Sequence, residues 1–170
     1  MAFALLALHR GQYGDERYLE KKDNLFRQIS GICRFLRDFC RGLRYGELSR
    51  APLRLLRFQL VGKIAECDWM ARMPDPWDSD LRLPTRRKHQ TLQAIRDAID
   101  VRTYLFASLP QLESANIRVY RQSANQTPEK IIDGTIHRND QCARNIHSIV
   151  MRAKVMGFRF CMEEDNLEPI

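Results

Sequence analysis

The sequence predicts an α+β fold: a small antiparallel sheet of about four strands, two helices covering it, and an N-terminal amphipathic Arg-rich helix. Three observations predict it. Asp23 to Arg44 repeats its apolar residues at the helical period. Leu53–Ala71 and Ile117–Arg138 alternate apolar and polar residues on either side of a turn. Thr85–Ser108 and the stretch after Asn139 return to helical spacing. The alternative is an all-α helical bundle, because Leu53, Leu56, Leu60, Ile64, Cys67 and Ala71 also fit a helical period. On this division residues 1–50 are an N-terminal arm and the basic helix. Residues 51–170 are an α+β body that runs strand–strand–helix twice.

Taken in order, the N-terminal MAFALLAL is apolar for eight residues with no basic segment before it. That is too short to cross a bilayer or to serve as a secretion signal, and it is expected to be a strand or packing arm. His9–Asp15, with Gly11 and Gly14, is expected to be a turn-rich connector. The helix follows. With Leu25 at zero and 100° per residue, Leu25, Ile29, Ile32, Leu36, Phe39 and Leu43 fall within a sector of about 80°. On the same wheel, Arg27, Arg34, Arg37, Arg41 and Arg44 centre roughly 150° away. Asp23 is a candidate N-cap, Gly42 and Gly46 mark the exit, and Gly31 permits close packing.

In Leu53–Ala71 the hairpin is preferred over the helix, because Gly62 falls where the alternation changes phase. Met73–Pro84 holds three prolines and is irregular. A helix from about Thr85 carries Leu92, Ile95, Ile99 and Phe106 on one side. Arg86, Arg87 and Lys88 sit at its start, where basic charge opposes the helix dipole. Ile117–Arg121 and Lys130–Arg138 form the second strand pair. Asn139 or Asp140 is expected to cap a helix through Ala143, Ile146, Val150 and Ala153, ending at Gly157. Phe158–Cys161 is a last short strand before the acidic tail Glu163–Glu168.

Composition narrows the function class. Net charge is +7, from 28 basic and 21 acidic residues. Eight basic residues against two acidic ones between Arg27 and Gln59 supply six of those seven charges. Such segregation points to an anionic partner. Arg144, Arg152, Lys154 and Arg159, with Arg118, Arg121 and Arg138, could extend the basic surface, and Tyr120 and Phe158 could add stacking. The five cysteines form no CxxC, which favours free thiols in a reducing, cytoplasmic setting over a structural zinc.

No catalytic signature stands out. Glycine-rich phosphate loops, a GxSxG elbow and the RNP aromatic pattern are missing. His147 and Cys142 are five residues apart, the wrong offset for a facing nucleophile pair on a helix. Asp75, Asp78 and Asp80 share one loop and are the sole candidate for a hard cation, though turn and capping roles explain them equally well. Trp69 and Trp77 flank that loop, and at least one should be buried.

Three functions follow as expectations. The first is a non-catalytic module without cofactor or metal, contacting nucleic-acid phosphates through Arg27, Arg34, Arg37, Arg41, Arg44, Arg54, Arg57, Arg86, Arg87 and Lys88. The second is a structural or adaptor subunit of a larger assembly, whose arginines meet an acidic protein surface. The third is a metal-dependent enzyme using the Asp75, Asp78 and Asp80 loop.

Overall fold

The computed structural model describes residues 2–43, 46–123, 125–139 and 145–170, with side chains from Glu20 onward except at Gly42. The elements are α1 (Ala2–Gly42), β1 (Arg54–Val61), β2 (Ile64–Met70), a 3-10 turn (Pro76–Asp80), α2 (Leu83–Ser108), β3 (Ser114–Gln122), β4 (Pro128–His137), α3 (Ile149–Val155), β5 (Cys161–Glu163) and β6 (Asn166–Glu168). The α+β class holds. Arg44, Tyr45, Asp140, Cys142, Ala143 and Arg144 lie outside the described residues.

Two N-terminal expectations are corrected. Residues 2–8 of the MAFALLAL segment are not a strand, and His9–Asp15 is not a turn: both are helical within α1. Gly11 and Gly14 each cost about 1 kcal/mol in a helix. The helix formers from Glu16 to Lys22 join them to the amphipathic stretch, and propagation is easier than nucleation.

The four-stranded sheet has the order β1-β2-β3-β4. The first hairpin is as expected, with Gly62 at φ +59° in its turn. The all-antiparallel sheet is corrected, because β2 and β3 run parallel, in register from Ile64–Ser114 to Met70–Tyr120. A parallel neighbour needs a long crossover. At 1.5 Å per residue, α2 is about 39 Å long, enough to return the chain past the whole of β2.

One face of the sheet is sealed. Cys67 and Trp69 of β2, Ile117 and Val119 of β3, and Ile132 and Ile136 of β4 are buried. They form one core with Ile95, Ala98, Val101 and Leu105 of α2 and with Phe35, Phe39 and Leu43 of α1. Each large apolar side chain buried there is worth roughly 1.5–3 kcal/mol. The ring of Phe35 lies 4.9 Å from that of Phe58 on β1. Gly31 meets the end of α2: a Cβ there would stand 2.7 Å from Leu109 Cδ2. Close packing at Gly31 is therefore real. The buried stripe is rotated from the expected one, since Phe35 joins it while Leu25 and Ile29 stay exposed.

Near the C-terminus, Ser148 caps α3, and residues 145–148 are not helical, so the helix starts later than expected and excludes Ile146. Gly157 takes φ +92° at its exit, as anticipated. Arg159 then pairs with Asp133 on the free edge of β4 through two backbone hydrogen bonds. The acidic stretch is no loose tail. It folds into the β5–β6 hairpin through Glu164 and Asp165, both at positive φ, and buries Leu167.

Candidate nucleic-acid interface

Arg27, Arg34 and Arg41 recur every seven residues along α1 and are exposed. Successive members stand about 10.5 Å apart along the axis. None of the three has a salt-bridge or hydrogen-bond partner among the described residues. Arg37, on the same side, makes only a loose 3.8 Å contact with its neighbour Asp38. Arg44 lies outside the described residues. Arg54 at the sheet edge and Arg87 on α2 are also exposed and unpaired among the described residues.

The remaining basic residues behave differently. On the open face of the sheet, Arg57, Asp68, Arg118 and Asp133 stand side by side across all four strands. Arg57 meets Glu66 at 2.9 Å, and Arg118 meets Asp68 at 2.9 Å and Glu66 at 3.1 Å. Burial would lower the Arg118 pKa, yet Asp68, Tyr120 and Glu66 together raise it. Asp133 binds Lys130 at 2.9 Å and Arg159 at 3.2 Å. Partial burial works against its charge, but these two cations outweigh burial and hold the carboxyl below its ordinary value.

Other arginines are tied to the backbone. Arg138 donates to the carbonyls of Leu112, Phe106 and Leu109, and Arg152 to that of Ile146. Arg121 binds the Leu167 carbonyl at 2.8 Å and Glu129 at 3.3 Å. Among the described residues, Arg118, Arg121, Arg138 and Arg152 are thus engaged within the chain, and Phe158 is buried rather than presented for stacking. At the start of α2, Arg86 is half-buried and Lys88 pairs with Asp165 at 2.9 Å. That cluster sits at the opposite end of α2 from the Leu109 contact with Gly31 of α1.

The aspartate loop does not converge. Asp75 accepts the Arg50 backbone amide at 2.6 Å, closing the loop, and Ser79 contacts Asp80 at 3.4 Å. Among the described residues no three His, Cys, Asp or Glu side chains come together as a metal site. Trp69 is fully buried, as one of the pair was expected to be, and Trp77 is 81% exposed.

Two recesses were not legible in the sequence. A cleft of about 420 Å³ lies between α2 and the lead into α3, lined by Glu47, Arg96, Asp100, Tyr104 and His147. Within it Arg96 meets Glu47 at 2.6 Å. Burial, aided by Glu47, pushes the Asp100 carboxyl up against the pull of Arg72 and Arg96. The second recess, about 680 Å³, runs between α1 and the loop after α2. Phe26, Arg27 and Arg34 form one wall, and Ser108, Pro110 and Gln111 the other. Its two walls are more than seventy residues apart in the chain, and Gly31 was the sole local sign that they meet.

The chain matches no protein-family model, no curated protein and no solved structure. No helix among the described residues is long and apolar enough to cross a membrane.

Proposed function

We propose that this protein is a non-catalytic module whose α1 arginine row contacts nucleic-acid phosphates. The observation that carries this reading is the contrast between two sets of arginines. Those on the sheet face are neutralised by Glu66, Asp68 and Asp133. Among the described residues, Arg27, Arg34 and Arg41 on α1 have no salt-bridge partner, and Arg37 has only the loose contact with Asp38. A planar guanidinium suits phosphate oxygens, and releasing counterions from the nucleic acid drives the contact. Cys33, Cys40 and Cys161 are exposed free thiols, which fits a reducing cytoplasmic setting.

The test is fluorescence anisotropy with labelled DNA and RNA across a salt series. Charge reversal at Arg34 and Arg41 should weaken binding to every sequence alike. It should also flatten the salt slope by about 0.7–0.9 per lost contact. Absence of binding to any DNA or RNA at low salt refutes the proposal.

A second reading, an adaptor subunit, draws on Leu25 and Ile29. They lie on α1 ahead of its buried stretch and are 56% and 47% exposed. An apolar face of this kind suits a protein partner. Native mass measurement of the full chain from extract tests it, and a lone monomer counts against it.

A further inference from the structure

Resting on the phosphate-binding reading, we propose that the recess between α1 and the α2–β3 loop takes single-stranded nucleic acid rather than duplex. Phe26 would stack a base, while Arg27 and Arg34 hold the flanking phosphates. Phe26 is 59% exposed on the wall of this recess. The Lys22 ammonium lies over this ring, 5.9 Å from its centroid. Arg27 adjoins it in sequence and Arg34 follows two turns later, about 10.5 Å along the same helix.

Aromatic ring and cations share a space of about 680 Å³ whose facing wall is Ser108, Pro110 and Gln111, the scale of a small-molecule pocket and far below the bulk of a double helix.

Duplex is disfavoured by chemistry as well as size. Its bases are stacked on one another and offer no free face to Phe26, whereas a single strand can splay a base onto an aromatic ring. The usual alternative platform, an exposed sheet face, is occupied here by the ion pairs of Arg57, Arg118 and Asp133.

The experiment uses the full chain with labelled oligo-dT, oligo-U and a mixed-sequence duplex of equal length. Both single strands should bind more tightly than the duplex, and the ratio between them separates DNA from RNA preference. Phe26→Ala should weaken single-strand binding about tenfold without changing the salt slope. Arg34→Gln should lower that slope by about 0.7. Phe26→Trp should restore affinity. Trp77→Ala removes a more exposed aromatic outside the recess and should change nothing.

If duplex binds as well as single strand, or Phe26→Ala is silent, or Trp77→Ala is as damaging, the recess proposal is overturned while phosphate binding by α1 stands. If no nucleic acid binds at all, the underlying reading falls and takes this one with it.

Discussion

Arg72 grips Asp97 with two edges of its guanidinium: Nε donates to one carboxylate oxygen at 2.9 Å and Nη2 to the other at 3.1 Å. Both side chains are sealed from solvent, at 2% and 1% exposure. Arg72 also donates to the carbonyls of Leu43 and Ala51, and Gln93 supplies a further bond to Asp97 at 2.9 Å. One side chain thereby ties the end of α1, the segment leading into β1, and the middle of α2. Burial pushes the Asp97 carboxyl up, against the pull of the Arg72 and Gln93 bonds.

Removing one partner of such a pair leaves a buried charge uncompensated. Asp97→Ala should lower stability by about 3–5 kcal/mol, read from the midpoint of urea denaturation. The double variant Arg72→Met/Asp97→Leu should be more stable than Asp97→Ala, because it leaves no unpaired charge. A single-variant loss below about 1 kcal/mol would show that this knot does not hold α1 to the body.

The knot also marks the limit of sequence reading. Arg72 and Asp97 are 25 residues apart, with neither charge patterning nor periodicity to connect them. The first hairpin was legible because Gly62 interrupts an alternation. The surplus charge on α1 was legible because Arg27, Arg34 and Arg41 share one helical face. The parallel pairing of β2 with β3 was hidden, since local alternation states a strand's faces and not its neighbour. For the same reason Arg118 read as free positive charge. Its partners Glu66 and Asp68 sit on β2, and only the parallel register brings them beside it.

Gly134 is fixed by crowding. A Cβ on it would lie 2.8 Å from the Gly157 carbonyl oxygen and 3.2 Å from Phe158 Cα. Both obstacles are backbone, so no rotamer change can relieve them. They belong to the segment that closes the edge of β4. Gly134→Ala should therefore cost about 1–3 kcal/mol in chemical denaturation. It should also speed hydrogen exchange at the Asp133 and Arg159 amides, which bond across that edge. Unchanged exchange at those amides would place the strain elsewhere.

Asp133 should shape the acid limit of stability. Its carboxyl sits below its ordinary value because Lys130 and Arg159 outweigh partial burial. A carboxyl depressed in the folded state stabilises the fold above its unfolded pKa, near about 3.9. That contribution fades as pH falls through the lower folded value. Asp133→Asn should be less stable than the parent at pH 6. The gap should narrow progressively below about pH 4, measured as denaturation midpoints across a pH series. A gap of constant size down to pH 2 would mean that the carboxylate charge is not what the two cations hold.

Cys67 should be the inert thiol among the described cysteines. It is fully buried on the inner face of β2, while Cys33, Cys40 and Cys161 are exposed. Burial first, and the neighbouring Asp68 charge second, push its thiol far above the ordinary cysteine value. The thiolate is the reactive form, so access and ionisation both protect it. Under native conditions at pH 8, iodoacetamide should modify Cys33, Cys40 and Cys161 within the assay and leave Cys67 untouched, as read by peptide mass spectrometry. Labelling of Cys67 should then appear only with denaturant, following the same midpoint as global unfolding, because its neighbours Trp69, Ile117 and Ile95 belong to the one core. Labelling well before that midpoint would reveal an opening of β2 separate from the rest of the sheet.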